Sequence, residues 1–144
     1  MSSTATEMRA DGFIATLLAG LALRDVEALS IRGTEFDSAA KRVFDLLRYK
    51  HAPAHSIDLR FRVYLDQIYG DSPVVREALS QAAQSDLIAL DDPEYQNLRI
   101  KLNSKEAELL ADQLPGGAVL AETLADEFLS DYAWVVRKHV RSSP

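Results

Sequence analysis

Cysteine is absent from the 144 residues of this chain. That excludes a disulfide framework, a thiol nucleophile and every cysteine-bound zinc finger. Glycine and proline are scarce, 6 and 5 residues, which removes collagen-like and low-complexity chains. No apolar run reaches the ~20 residues that a membrane-spanning helix needs. The most apolar stretch, Phe13 to Leu23, is preceded by Glu7 and Asp11 beside Arg9, and followed by Arg24-Asp25 where a signal peptide would place small residues. It reads as a buried helix of a cytoplasmic protein that makes no use of a membrane. Positive charge is also in short supply: 16 Lys and Arg stand against 22 Asp and Glu, a net charge of −6. Indiscriminate binding to nucleic acid or to an anionic membrane is disfavoured on that ground.

What is present is enough for one ordinary domain. The chain is 47% apolar, and a domain of this length hides roughly 70% of its unfolded surface. Charge is segregated along it. Residues 32–62 carry seven basic groups (Arg32, Lys41, Arg42, Arg48, Lys50, Arg60, Arg62) against four acidic ones, whereas residues 63–102 carry three against seven. The basic stretch is either a solvated helix face, with pairs such as Lys41 and Asp45, or a local anion-binding face.

Helical periodicity dominates. The first helix is expected over about 7–23, a short element over 25–30, and a second helix from an Asp37-Ser38 cap to about Lys50, with Val43, Phe44 and Leu47 in its apolar stripe. Residues 55–69 fit two patterns. Ile57, Leu59, Phe61, Val63 and Leu65 alternate like a strand, while Phe61, Leu65 and Ile68 repeat like a helix. We expect a strand at 55–57 and a helix from Asp58, capped by Ser56. Gly70-Asp71-Ser72-Pro73 then opens another helix to about Ser85, with proline at its permitted first position. Leu87 to Leu90, an acidic turn Asp91-Asp92-Pro93-Glu94-Tyr95-Gln96, and Asn97 to Leu102 read as a β-hairpin. Asn103 with Glu106 forms a capping box for a helix to Leu114, and a long last helix is expected over about 118–140.

Helix, short strand, helix, turn, helix, hairpin is the winged-helix order. Val75-Arg76-Glu77-Ala78-Leu79, followed by Asp86-Leu87-Ile88, resembles the recognition helix and first wing strand of GntR-type winged-helix regulators, whose pattern is S-R-x-T-V-R-x-A-L with G-L-I about seven residues on. The resemblance implies a mainly α winged helix-turn-helix with a hairpin wing, acting as a dimeric transcriptional regulator on double-stranded DNA. Ser72 and Arg76 would contact DNA from the recognition helix, Gln81 and Gln84 further along it, and Arg99 and Lys101 from the wing. Three parts are expected: residues 1–36 as an N-terminal extension, 37–103 as the winged helix, and 104–144 as C-terminal helices. The two flanks are candidates for homodimer contacts, with Phe128, Tyr132 and Trp134 as anchors, or for extra core of their own domain.

The chain departs from the family where DNA would sit. Asp71, Ser72, Pro73 and Val74 stand at the S-R-x-T positions, and the wing tip is acidic. Each neutralised phosphate adds affinity through counterion release, so acids here work against DNA. The second reading is therefore a non-enzymatic module that docks a protein partner through the same helix and hairpin. A third is a ligand-sensing regulator with an apolar pocket between the winged helix and the flanks.

Enzymatic signals are weak. His51 and His55 have metal-ligand spacing, but Pro53 lies between them and no glutamate follows His51. Asp91-Asp92 suits a turn better than a metal pair. No G-x-S-x-G, P-loop or G-x-G-x-x-G occurs, and no catalytic residue, cofactor or metal is expected.

Overall fold

The computed structural model describes residues 6–31, 33–90, 97–132 and 135–137. The fold is mixed α/β and rich in helix. In chain order the elements are β1 (Thr6–Met8), α1 (Ala10–Leu23), β2 (Val26–Ser30) and α2 (Glu35–Leu46). A π-helical turn, Leu47–His51, carries α2 into the short α3 (Ala52–Ala54). Then come β3 (Ile57–Leu59), α4 (Pro73–Gln84), β4 (Ile88–Leu90), β5 (Asn97–Ile100), α5 (Ser104–Gln113), α6 (Gly117–Leu129) and β6 (Val135–Arg137). The strands form two sheets. β1 and β3 pair in parallel, and a four-stranded antiparallel sheet runs in the order β4-β5-β2-β6.

α1 is the axis of the molecule. Every residue from Phe13 to Ala22 is buried, so this helix must be covered on all sides. α4, α5 and α6 all pack against it. Thr16, the one hydroxyl in that run, donates to the Gly12 carbonyl at 2.7 Å and so is buried without an unpaired donor. The crossing with α6 is unusually close. A Cβ on Gly20 would lie 1.9 Å from the Ala121 carbonyl oxygen and 3.0 Å from the Ala125 Cβ. Only glycine on α1 opposite alanines on α6 permits that approach.

Two aromatic clusters fill the rest. Phe13, Phe44 and Phe61 join α1, α2 and the chain after β3, with ring centroids 5.0 to 6.0 Å apart. Phe36, Phe128 and Tyr132 join α2 to α6 over the same range. Phe128 and Tyr132 are thus buried in their own domain. β2, from the N-terminal segment, lies inside the sheet that the hairpin enters. The three expected parts share one core. Trp134 lies outside the described residues.

One expected helix is absent and another is shorter than expected. Past β3, residues 60–66 are without helix and only a turn forms at 67–69. The strand-like alternation won: Ile57 and Val63 are buried, while Arg60, Arg62 and Tyr64 are exposed. β-branched and aromatic residues at period two favour extended chain. β3 also pairs with β1 and not with the hairpin. The last helix ends at Leu129, and Val135 and Val136 instead pair with β2, extending the sheet. The first helix starts three residues later than expected, because Thr6–Met8 is drawn into β1.

Two measurements check this packing. Gly20→Ala should destabilise the protein by about 3 kcal/mol, since backbone must move to admit a methyl group. Gly12→Ala meets only the Met8 Cγ at 3.6 Å and should stabilise it by about 0.5–1 kcal/mol through helix propensity. Burial pushes the Tyr132 hydroxyl up to about 12, with the Glu35 charge adding to the shift and Arg76 opposing it. The folded protein therefore holds this proton more tightly than the unfolded chain, whose tyrosines titrate near ~10. That stabilisation is complete below pH ~10 and is lost as the pH rises to about 12. Urea unfolding at stepped alkaline pH should show the loss in the native chain and much less of it in Tyr132→Phe.

Candidate docking surface on α4 and the hairpin

The surface begins at Ser72. Its side chain accepts from the Val75 N–H at 3.3 Å and caps α4, with Pro73 at the first helical position. Its own N–H donates to Asp37 Oδ1 at 3.1 Å. Asp37, inside α2, is fully buried. Arg76 meets it with both arms of its fork: Nε donates to Oδ1 at 3.0 Å and Nη2 to Oδ2 at 2.6 Å. The same Nη2 donates to the Ile31 carbonyl at 3.1 Å and the Gly33 carbonyl at 2.9 Å. A buried carboxylate is tolerable only when paired and hydrogen-bonded. Here Arg76 and the start of α4 supply the partners, and in doing so they pin α4 to α2 and to the 31–33 loop.

The far end of α4 stops through a left-handed residue. Asp86 has φ of 66°, the Leu87 N–H returns to the Ala82 carbonyl at 3.0 Å, and the Asp86 N–H to Ala83 at 3.1 Å. This Schellman-type closure turns the chain straight into β4. Lys101 Nζ pairs with the Asp86 carboxylate. Between α4 and β4 lies an open groove of about 620 Å³. Leu79, Ala83, Ile88 and Leu90 give it an apolar lining, Ser80 lies on its helix side, and the Arg76 and Lys101 ion pairs flank it.

The residues predicted to bind DNA do not share one face. Arg76 and Lys101 border the groove, each already ion-paired. Ser72 is buried in its capping role. Gln81 and Gln84 are exposed, but they border a different hollow, beside Asp11 and Gly12 of α1. Arg99 is exposed on β5. The acidic wing tip, Asp91 to Gln96, lies outside the described residues.

Four of the seven basic side chains of residues 32–62 have a partner in their own chain, and Arg32 lies outside the described residues. Lys41 pairs with Asp45 at 2.6 Å, Arg42 with Asp131 at 3.2 Å, and Arg60 with Asp58 and Glu7. Arg48 sits over the Tyr49 ring. His51, buried in the π-helical turn, contacts Glu127 of α6 at 2.8 Å, so it ties two helices together. His55 caps α3 on the exposed side. Among the described residues, no group of three or more His, Asp or Glu is arranged to hold a metal ion.

Two features escaped the sequence reading. Asp37 passed as a helix cap, because its partner Arg76 lies far along the chain. Asp66 was absorbed into a supposed helix, whereas its Oδ1 accepts from the Ile68 and Tyr69 N–H groups, both at 2.8 Å. That turn leaves Ile68 and Tyr69 exposed at 83% and 76%, just ahead of α4. The D-x-x-x-G-D spacing of Asp66, Gly70 and Asp71 is the local signal for it.

No family model, curated protein or solved structure matches this chain.

Arg76→Ala should cost about 3–5 kcal/mol of stability, because it leaves Asp37 buried without its charge partner. Chemical denaturation of Arg76→Met, Asp37→Leu and the double variant should show the double losing far less than the sum of the singles. Additive losses would mean that the two side chains act independently.

Proposed function

We propose that the chain is a non-enzymatic module that docks a protein partner through α4 and the β4–β5 hairpin. In this reading α2, α4 and the hairpin are a winged-helix derivative whose middle helix has become extended chain. The hairpin following α4 directly supports the derivation, as does the Ser72–Pro73 entry to that helix.

The observation that carries the proposal is the state of Arg76. In a DNA reader this guanidinium would face phosphate or a base edge. Here it makes four hydrogen bonds to its own chain, to both Asp37 oxygens and to two carbonyls. Lys101 is paired as well. Recruiting either one to DNA would break an internal ion pair, and the segment 63–102 would still hold seven acids against three bases. Protein docking asks for none of this. It uses apolar surface with a polar rim, and the groove has both. The exposed Ile68 and Tyr69 supply more apolar surface at the entrance to α4.

The test is a titration of the purified protein with fragmented DNA from its source organism, from low to physiological salt. The expected result is no retained fragment at physiological salt. Retention of a few discrete fragments, with affinity falling steeply as salt rises, would establish specific phosphate-anchored recognition and overturn the docking reading in favour of a DNA-binding regulator.

A further inference from the structure

Among the described residues β4 is an edge strand, pairing with β5 alone in the register Ile88–Ile100, Ala89–Arg99, Leu90–Leu98. The Lys101 N–H donates to the Leu87 carbonyl at 2.9 Å, which marks Leu87–Lys101 as a hydrogen-bonded pair. In an antiparallel ladder such pairs alternate. Ala89 therefore faces β5 with its backbone groups, and Ile88 and Leu90 turn theirs to the outer side. Each offers one N–H and one C=O there, and among the described residues no backbone group answers them.

The groove borders the whole of β4, and Ile31 and Lys101 line it as well. Successive side chains of a strand point to opposite faces, yet Ile88, Ala89 and Leu90 all border the groove. A hollow bordered by residues of both faces lies beside the strand's backbone, with α4 as its opposite wall. Its apolar lining, Leu79, Ala83 and Leu90, can receive alternate side chains of whatever lies in it.

We infer that an extended peptide of a protein partner adds to β4 as a further strand, seated between β4 and α4. The inference rests on the docking reading and specifies its ligand: a segment with apolar residues at alternate positions and Lys or Arg among the others. Backbone pairing supplies affinity in strand addition, and pockets for alternate side chains supply selectivity. The basic character follows from charge. The segment 63–102 is acidic, Leu90 is followed in sequence by Asp91 and Asp92, and Arg76 and Lys101 are already neutralised. The same acidity argues against a second copy of this chain, since two acidic edges would repel.

The experiment is selection of random 12-residue peptides displayed on phage against the full chain, followed by synthesis of an enriched peptide. We expect β-branched or aromatic residues at alternate positions with Lys or Arg between them. Methylating the peptide's backbone nitrogens one at a time should weaken binding about tenfold at every second position and little in between, because an added strand uses only alternate N–H groups. The Ile88 and Leu90 amides should gain protection from hydrogen exchange. Ser80→Arg, at an exposed groove position, should weaken binding without changing stability.

Failure separates cleanly from failure of the docking reading. Failure to enrich any peptide overturns the extended-peptide site. So does enrichment of peptides with helical spacing, loss on methylation without a two-residue period, or protection elsewhere on the protein. None of these restores DNA binding, which is decided by fragment retention alone.

Discussion

The close approach of α1 and α6 at Gly20 sets the plan of the molecule. A helix apolar on every side cannot lie at a surface, and Gly20 opposite Ala121 and Ala125 lets α6 come near enough to seal one side of it. α4 and α5 close others. α1 and the inner face of α6 are consequently committed to the interior, and Phe128 and Tyr132 fill the space beside Phe36. Apolar helices at both ends of a chain resemble a dimer clasp in sequence. Here the first is enclosed by its own chain, and only isolated side chains such as Leu109 and Val119 of α5 and α6 reach solvent.

A second constraint places α4. Burying Asp37 requires cationic and N–H partners, and both come from α4: the Arg76 fork and the Ser72 N–H. The pair fixes where α4 begins and how it is rotated about its axis. The rotation puts Ser80 and Ala83 toward the hairpin while Gln81 and Gln84 turn toward α1. The groove is therefore a consequence of a stability device. A buried ion pair of this kind is weak evidence for net stability, because desolvation offsets much of the attraction. Its effect on geometry is the stronger one, since the bidentate fork tolerates few orientations.

Features encoded within a few residues were legible in the sequence. Ser72-Pro73 starts α4, Asn103 and Glu106 form their capping box in both directions, and β4 and β5 pair where strand patterning placed them. Features decided by distant partners were not. Residues 57–65 satisfied helical and strand periods alike, and pairing of β3 with β1 tipped them to extended chain. Val135 and Val136 continued an apolar stripe on paper, yet β2 had an open edge for them. Arg76 stands at the arginine of a regulator's V-R-x-A-L pattern, though the residues before it depart from that pattern. What changes its role is an aspartate 39 positions earlier, a relation that no local pattern displays.

The electrostatic arrangement then bears on function more directly than the fold does. In the basic stretch, Lys41, Arg42 and Arg60 each face an acid of the same chain. Exposed pairs of this kind contribute little to stability, about 0–1 kcal/mol each. They do reduce the positive field of that stretch, which would draw a phosphate backbone from a distance. With Arg76 and Lys101 paired, the surface around α4 and β4 is left with hydrogen-bonding backbone and an apolar hollow. In the proposed docking reading, such a surface would discriminate by shape and backbone pairing at short range, and the acids of segment 63–102 would favour basic chains. An open strand edge is ordinarily an aggregation hazard. In the proposed reading, acids close by in sequence would make it repel its own kind while leaving it open to a chain of opposite charge.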